Sequence, residues 1–198
     1  MQPYVNIHTH HPQPDEITPV TAGIHPWEAD LLSENSVATI PGLERAELLG
    51  EIGLDFVRGP ERDVQIAALR MQLQLACERG LPVVLHCVRA FEPLMRELAA
   101  CPPRAVIFHG FIGSPEQAQQ AVARGYYLSF GLRTFVSPRT IEALRTTPLE
   151  RLFLETDDAP VPIDEIYDRA AKLRGETIDT LRRATLESYE RIFGKKNG

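Results

Sequence analysis

Short apolar runs that alternate with longer stretches of helical periodicity constrain this chain more than any other feature. Leu81-Pro82-Val83-Val84-Leu85-His86 and Ala105-Val106-Ile107-Phe108-His109-Gly110 are nearly continuous in apolar residues, the pattern of parallel strands covered on both faces. Val5 to His10, Val20 to Ile24, Ala46 to Asp55, Tyr126 to Gly131 and Leu152 to Glu155 read as further strands. Between them the sequence predicts helices. The clearest runs from Glu61 to Arg79, started by Pro60 and stopped by Gly80, with Val64, Ala67, Ala68, Met71 and Leu75 on its buried face. Another covers about Glu92 to Ala100, and Ser114-Pro115-Glu116-Gln117 supplies an N-cap, a first-turn proline and a capping-box glutamine for one reaching about Arg124. Ser137-Pro138 starts the next, and Ile163 to Arg174 and Thr177 to Phe193 each end at a glycine. Strands separated by helices need crossover connections, so an α/β fold with a parallel sheet of about seven strands is expected. The turn-rich Pro12 to Asp15 is excluded from helix, and the weak pattern between Trp27 and Ala46 allows one or two short helices.

A chain of 198 residues can bury one sizeable core, and no linker or shift in composition divides it, so one domain over 1–198 is expected. No apolar run approaches the roughly 18 to 20 residues that cross a bilayer, and the N-terminus lacks a basic stretch followed by an apolar one. A cytoplasmic protein with no membrane partner is the expectation. Cys77, Cys87 and Cys101 are an odd number at irregular spacings, which fits reduced thiols serving as small buried filler. The net charge of −6 argues against a broad basic footprint for nucleic acid, although bound divalent cations reverse such a field locally.

The polar residues at the strand ends carry the chemistry. Residues i and i+2 of a strand point to one side, so His8 and His10 can hold one ion together. A lone histidine pair is more often a hydrogen-bonded feature; the weight rests on the set. In parallel barrels the reacting groups lie at the C-terminal strand ends, and His8, His10, Glu51, His86, His109 and Asp157 all fall there. Strand alternation puts Asp157 on the side of Glu155, leaving Glu155 and Asp158 as hydrogen-bonding neighbours. His25 ends the second strand and is expected to touch substrate. Arg89 and Arg133 follow strand ends and suit phosphate oxygens. Trp27 is expected in the core and His11 in solvent. Four imidazoles and two carboxylates suffice for two divalent ions about 3.5 to 4 Å apart, an arrangement that activates water and binds the leaving oxygen of a phosphoester.

His8-Thr9-His10, Gly23-Ile24-His25-Pro26, Gly50 to Asp55, Pro82 to His86, His109 to Ser114 and Leu154 to Pro160, in that order, resemble the successive motifs of the TatD family of metal-dependent hydrolases. The resemblance covers nearly the whole chain. It implies a TIM-like (β/α) barrel of the amidohydrolase type, activity toward DNA phosphodiesters, and two divalent ions (Mg, Mn or Zn). It further implies His8 and His10 as ligands of one ion, His86 and His109 of the other, Glu51 as their bridge, and Asp157 as a ligand that also holds the attacking water. Residues 11–22 alone separate His10 from Gly23, where members of the family usually carry another strand and helices, so one βα unit is expected to be missing. The usual basic loop after Asp157 is replaced by Pro160 to Glu165, Arg89 stands one place late, and Ser188 replaces the usual Asn. The expected substrate is a DNA end or a small phosphoester, with no obligate protein partner. Amide or ester hydrolysis, and metal binding without catalysis, are the alternatives.

Overall fold

The computed structural model describes residues 2–194. In chain order its strands are β1 (Tyr4–Val5), β2 (Glu16–Ile17), β3 (Thr21–Ala22), β4 (Leu48–Asp55), β5 (Val83–Val88), β6 (Val106–Phe108), β7 (Tyr127–Phe130) and β8 (Leu152–Leu154). The α-helices are α1 (Arg62–Arg79), α2 (Phe91–Ala100), α3 (Pro115–Ala123), α4 (Pro138–Thr146), α5 (Ile163–Arg174) and α6 (Ile178–Phe193). The chain divides into two compact units: residues 19–108, and the two ends of the chain, up to 18 and from 109 onwards. No helix among the described residues is long and apolar enough to cross a membrane.

Residues 19–108 form a parallel sheet in the order β3-β4-β5-β6, with Leu49 opposite Val83 and Val83 opposite Val106. The Val, Leu and Ile of β4 and β5 other than Val88 are buried on both faces, as strands covered on both sides require. Helix α1 ends at Gly80 in the left-handed conformation, where a side chain would be strained. Its buried residues are Gln65, Ala68, Leu69, Gln72, Leu73, Leu75 and Ala76; Ala68 and Leu75 of the expected face are among them, whereas Val64 and Ala67 are exposed. The face is rotated because two glutamines are buried through hydrogen bonds, which apolar periodicity cannot register. Short 3₁₀ turns at Pro26–Leu31 and Val37–Thr39 fill the weakly patterned stretch. Cys77 is exposed, a correction to its reading as buried filler.

In the other unit β1 pairs with β2 and β7 with β8, both parallel. The chain after β1 continues beside the chain after β8: the Ile7 amide donates to the Leu154 carbonyl, Asp157 to His8, and His10 to Asp157. Strand β2 adds to the seven strands expected; two residues are too few to show alternation. The capping box at Ser114 and Gln117 is present, and Ser137 and Thr177 cap α4 and α6 through their side chains. Tyr167 of α5 lies fully buried, its hydroxyl donating to the Val5 carbonyl and meeting Thr185 of α6. These bonds tie both C-terminal helices to β1.

Candidate metal centre

In the unit of residues 19–108, Glu51 is the one residue of β4 that is not fully buried. A register shift against β5 falls between Leu49 and Ile52. Two glycines permit the packing on either side of Glu51. A Cβ on Gly50 would stand 2.2 Å from Val84 Cγ1, and one on Gly53, at φ +146°, 2.0 Å from the His86 carbonyl oxygen. Only glycine lets β4 approach β5 this closely.

His86 Nδ1 lies 3.6 Å and His25 Nε2 3.7 Å from Glu51 Oε2, and the three residues offer ligand atoms within 4.8 Å of one another. The far sides of the two rings differ. His86 Nε2 meets Asp55 Oδ2 at 3.3 Å, which puts its proton on Nε2 and its lone pair on Nδ1, toward Glu51. His25 Nδ1 accepts the Trp27 amide at 3.2 Å, so in the neutral ring Nε2 carries the proton and presents a donor. One imidazole is therefore set up to ligate and the other to donate.

Asp55 is buried and well partnered. Besides His86 it accepts from Trp27 Nε1 at 2.7 Å and from the amides of Val57 and Arg58 at 2.8 and 3.0 Å. Burial works to raise its pKa, but these hydrogen bonds outweigh burial and hold the carboxyl below its ordinary value. Gln65 of α1 accepts from the Asp55 amide and donates to the carbonyls of Asp55, Arg58 and Pro60. Gln72, two turns on, brackets Ile24 through both its amide and its carbonyl. The two glutamines thus fix the loops that deliver Asp55 and His25.

In the other unit the 7–10 and 154–157 segments bring His8 Nε2 to 3.7 Å and His10 Nε2 to 3.5 Å from Asp157 Oδ1. Asp157 has φ +55°, a left-handed conformation that costs a non-glycine residue about 1 kcal/mol or more and clusters at functional positions. Asn6 braces the turn, donating to Thr156 Oγ1 and accepting from the Thr156 amide. His109 packs against His8 with the rings tilted by 55° and their centres 4.5 Å apart, and His109, Glu155 and Asp157 offer ligand atoms within 4.8 Å of one another. Glu155 is fully buried. Its Oε1 accepts from the Gly110 amide at 2.6 Å and faces His109 Nδ1 at 3.4 Å, leaving the His109 lone pair on Nε2. Glu155 Oε2 is buried without a hydrogen-bond donor among the described residues. A buried carboxylate oxygen in that state is costly unless a cation lies near, and imidazoles mixed with carboxylates are the donor set of Zn²⁺ and Mn²⁺ sites. The residues fit the ions that the sequence implies.

Arg133 lines a small cavity of about 30 Å³ together with Asp157 and Glu155. Arg89, exposed and left-handed at φ +51°, belongs to neither group. His11 is exposed as expected, and so is Asp158. Trp27 is 40% exposed rather than in the core; its ring carries the Arg58 guanidinium on one face and its N–H reaches Asp55. Ser188 donates to the Glu150 carbonyl, a packing role. Pro160 to Asp164 of the replaced loop line a cavity of about 510 Å³ with Asp15 and Glu16, and the carboxylates of Asp15, Glu16 and Asp164 repel phosphate. Sequence reading missed Gln65 and Gln72 as loop anchors and Asp55 as the partner of His86; the only signal for Asp55 was its place in the Gly50 to Asp55 motif.

Parallel strands joined by helices, with imidazoles and carboxylates on the strands and just after them, define an α/β protein of the TIM-like, amidohydrolase-type barrel class, a metal-dependent hydrolase. The chain belongs to the TatD family: the family described as TatD related DNase matches residues 9–194. It is 32% identical to the 3′-5′ ssDNA/RNA exonuclease TatD of Erwinia amylovora, over 88% of this chain and 77% of that one. It is 30% identical to YabD of Bacillus subtilis, an uncharacterized metal-dependent hydrolase, over 86% and 75% of the two chains. Among solved structures it resembles YJJV, a TatD homolog from Escherichia coli K12, with a TM-score of 0.77 and 26% identity over 93% of this chain and 79% of that one.

Proposed function

We propose that this chain is a single hydrolase domain that cleaves phosphodiester bonds at the ends of single-stranded DNA or RNA, with two divalent ions held by His8, His10, Glu51, His86, His109 and Asp157. The observation that carries the reading is the tautomer pattern: Asp55 and Glu155 each accept the N–H of one histidine and so turn its lone pair toward the ligand set. When bound, Mg²⁺, Mn²⁺ or Zn²⁺ supply Lewis acidity and bring the pKa of a coordinated water toward neutrality. Asp157 Oδ1 takes the proton of the attacking water, and Glu51 would serve as a carboxylate ligand. His25 donates through Nε2 to a substrate oxygen, and Arg133 pairs with a phosphate oxygen. The Erwinia relative's stated activity on ssDNA/RNA supports the substrate class, and the unpaired thiols agree with a cytoplasmic setting.

The test is a substrate panel at fixed Mg²⁺, Mn²⁺ or Zn²⁺. Release of mononucleotides from single-stranded DNA or RNA ends is expected. Acyl release from small amides or esters, with nucleic acid untouched, would point to a carbonyl hydrolase; stoichiometric metal without turnover on any of them would leave a binding scaffold.

A further inference from the structure

Two thiols outside the ligand groups lie against each other. Cys77 stands in the last turn of α1 and Cys101 caps α2, and their Sγ atoms are 2.9 Å apart. A disulfide bond is about 2.05 Å long, so closing one here asks for under about 1 Å of movement. Cys77 is exposed, and both thiols are free. Cys87, the remaining cysteine, lies in β5 between them in sequence.

We propose that Cys77 and Cys101 form a reversible disulfide by exchange with low-molecular-weight disulfides. The Cys77 thiolate attacks one sulfur of the small disulfide, giving a mixed disulfide and one released thiolate. The Cys101 thiolate then attacks Cys77 Sγ, forming the internal bond and expelling the second small thiolate. The two protons from the cysteines end on the two released thiols, and the small disulfide has taken up both electrons. The loop that this bond closes, residues 77–101, contains the whole of β5 and therefore His86. Oxidation staples the helices that flank that strand in sequence with a movement of under about 1 Å.

Burial and the hydrogen bond with Cys101 push the Cys77 thiol up to about 11. Thiolate is then scarce at neutral pH, and exchange should quicken about tenfold for each unit of rising pH up to that value.

The experiment incubates the whole chain with oxidised glutathione, alkylates the remaining thiols under denaturing conditions, and maps the peptides. The expected result is one alkylated cysteine, Cys87, with Cys77 joined to Cys101 and the intact mass lower by two hydrogens. A rise in Tm of roughly 5 to 10 °C should accompany it, given the loop length and chain size, and dithiothreitol should reverse both. C87S should behave as the parent, while C77S and C101S should give no internal bond. Persistent glutathione adducts on Cys77 without closure, or a bond that includes Cys87, would overturn the proposal. The readout is thiol chemistry, so it is independent of whether the chain hydrolyses phosphodiesters.

Discussion

The two units present the same chemistry on different supports. In residues 19–108, Glu51 rises from within a long buried strand, and its neighbour His86 is backed by an Asp55 that accepts four hydrogen bonds. In the other unit Asp157 lies past the end of a three-residue strand, in a left-handed conformation and about a third exposed, and its neighbour His10 is 54% exposed. A group that must hold a cation through many turnovers gains from a rigid, fully bonded setting. A group that must pass a proton to and from water gains from access to it. The contrast predicts that loss of Glu51 acts chiefly on metal binding and loss of Asp157 chiefly on proton transfer.

Replacing the two carboxylates separately should break or confirm that division. Glu51→Gln should lose both bound metal and turnover, because the ligand charge on the rigid side is gone. Asp157→Asn should lose about 10²- to 10⁴-fold in kcat, the usual worth of a positioned acid or base, while keeping most of its metal. Metal analysis and turnover measured on the same preparations decide it. If Asp157→Asn were stripped of metal as completely as Glu51→Gln, the units would not differ in role.

A smaller effect separates the two backing carboxylates. Asp55→Asn and Glu155→Gln should each weaken Mn²⁺ or Zn²⁺ binding by about 10- to 100-fold, since an amide does not fix the histidine tautomer. Titration calorimetry reads this without reference to activity. Glu155→Gln should be the more damaging to folding, because the carboxylate is wholly buried and its replacement adds an N–H₂ group there. Equal and negligible changes in metal affinity would remove the tautomer pattern as an organising device.

How far these features were legible in sequence follows from their physics. His86 and His109 stood out because apolar runs stop at them, although β5 continues to Val88 and so holds His86 inside the strand rather than at its end; α3 stood out because its cap is written in four consecutive residues. Strand β2 stayed hidden because two residues carry no period. Gln65 and Gln72 carry no apolar signal, since their burial depends on loop carbonyls and amides distant in the chain. Asp55 could be placed in a motif but its partners could not be named: Trp27 and His86 reach it from 28 and 31 residues away. Ligand identity was readable from residue type, whereas the orientation of each imidazole required the fold.

The smallest effect concerns Trp27, which belongs to the rigid unit yet is substantially exposed. Its N–H secures Asp55, while its ring stands edge-on to His25 with centres 4.5 Å apart and carries Arg58 at 3.7 Å. Trp27→Phe keeps a ring but deletes the donor, and the lost hydrogen bond should cost about 1 to 2 kcal/mol. For a chain of this size that is a fall in Tm of roughly 2 to 8 °C. If the residue serves Asp55 alone, Trp27→Ala should resemble Trp27→Phe in KM and differ only in stability. If the ring also stacks on a base of the substrate, Trp27→Ala should raise KM for oligonucleotides about tenfold beyond Trp27→Phe, in line with the 1 to 3 kcal/mol of a stacked base. In that case residues 19–108 would orient the strand to be cut as well as supply Glu51 and His86, and the division of labour would be between positioning and proton transfer rather than between metal and substrate.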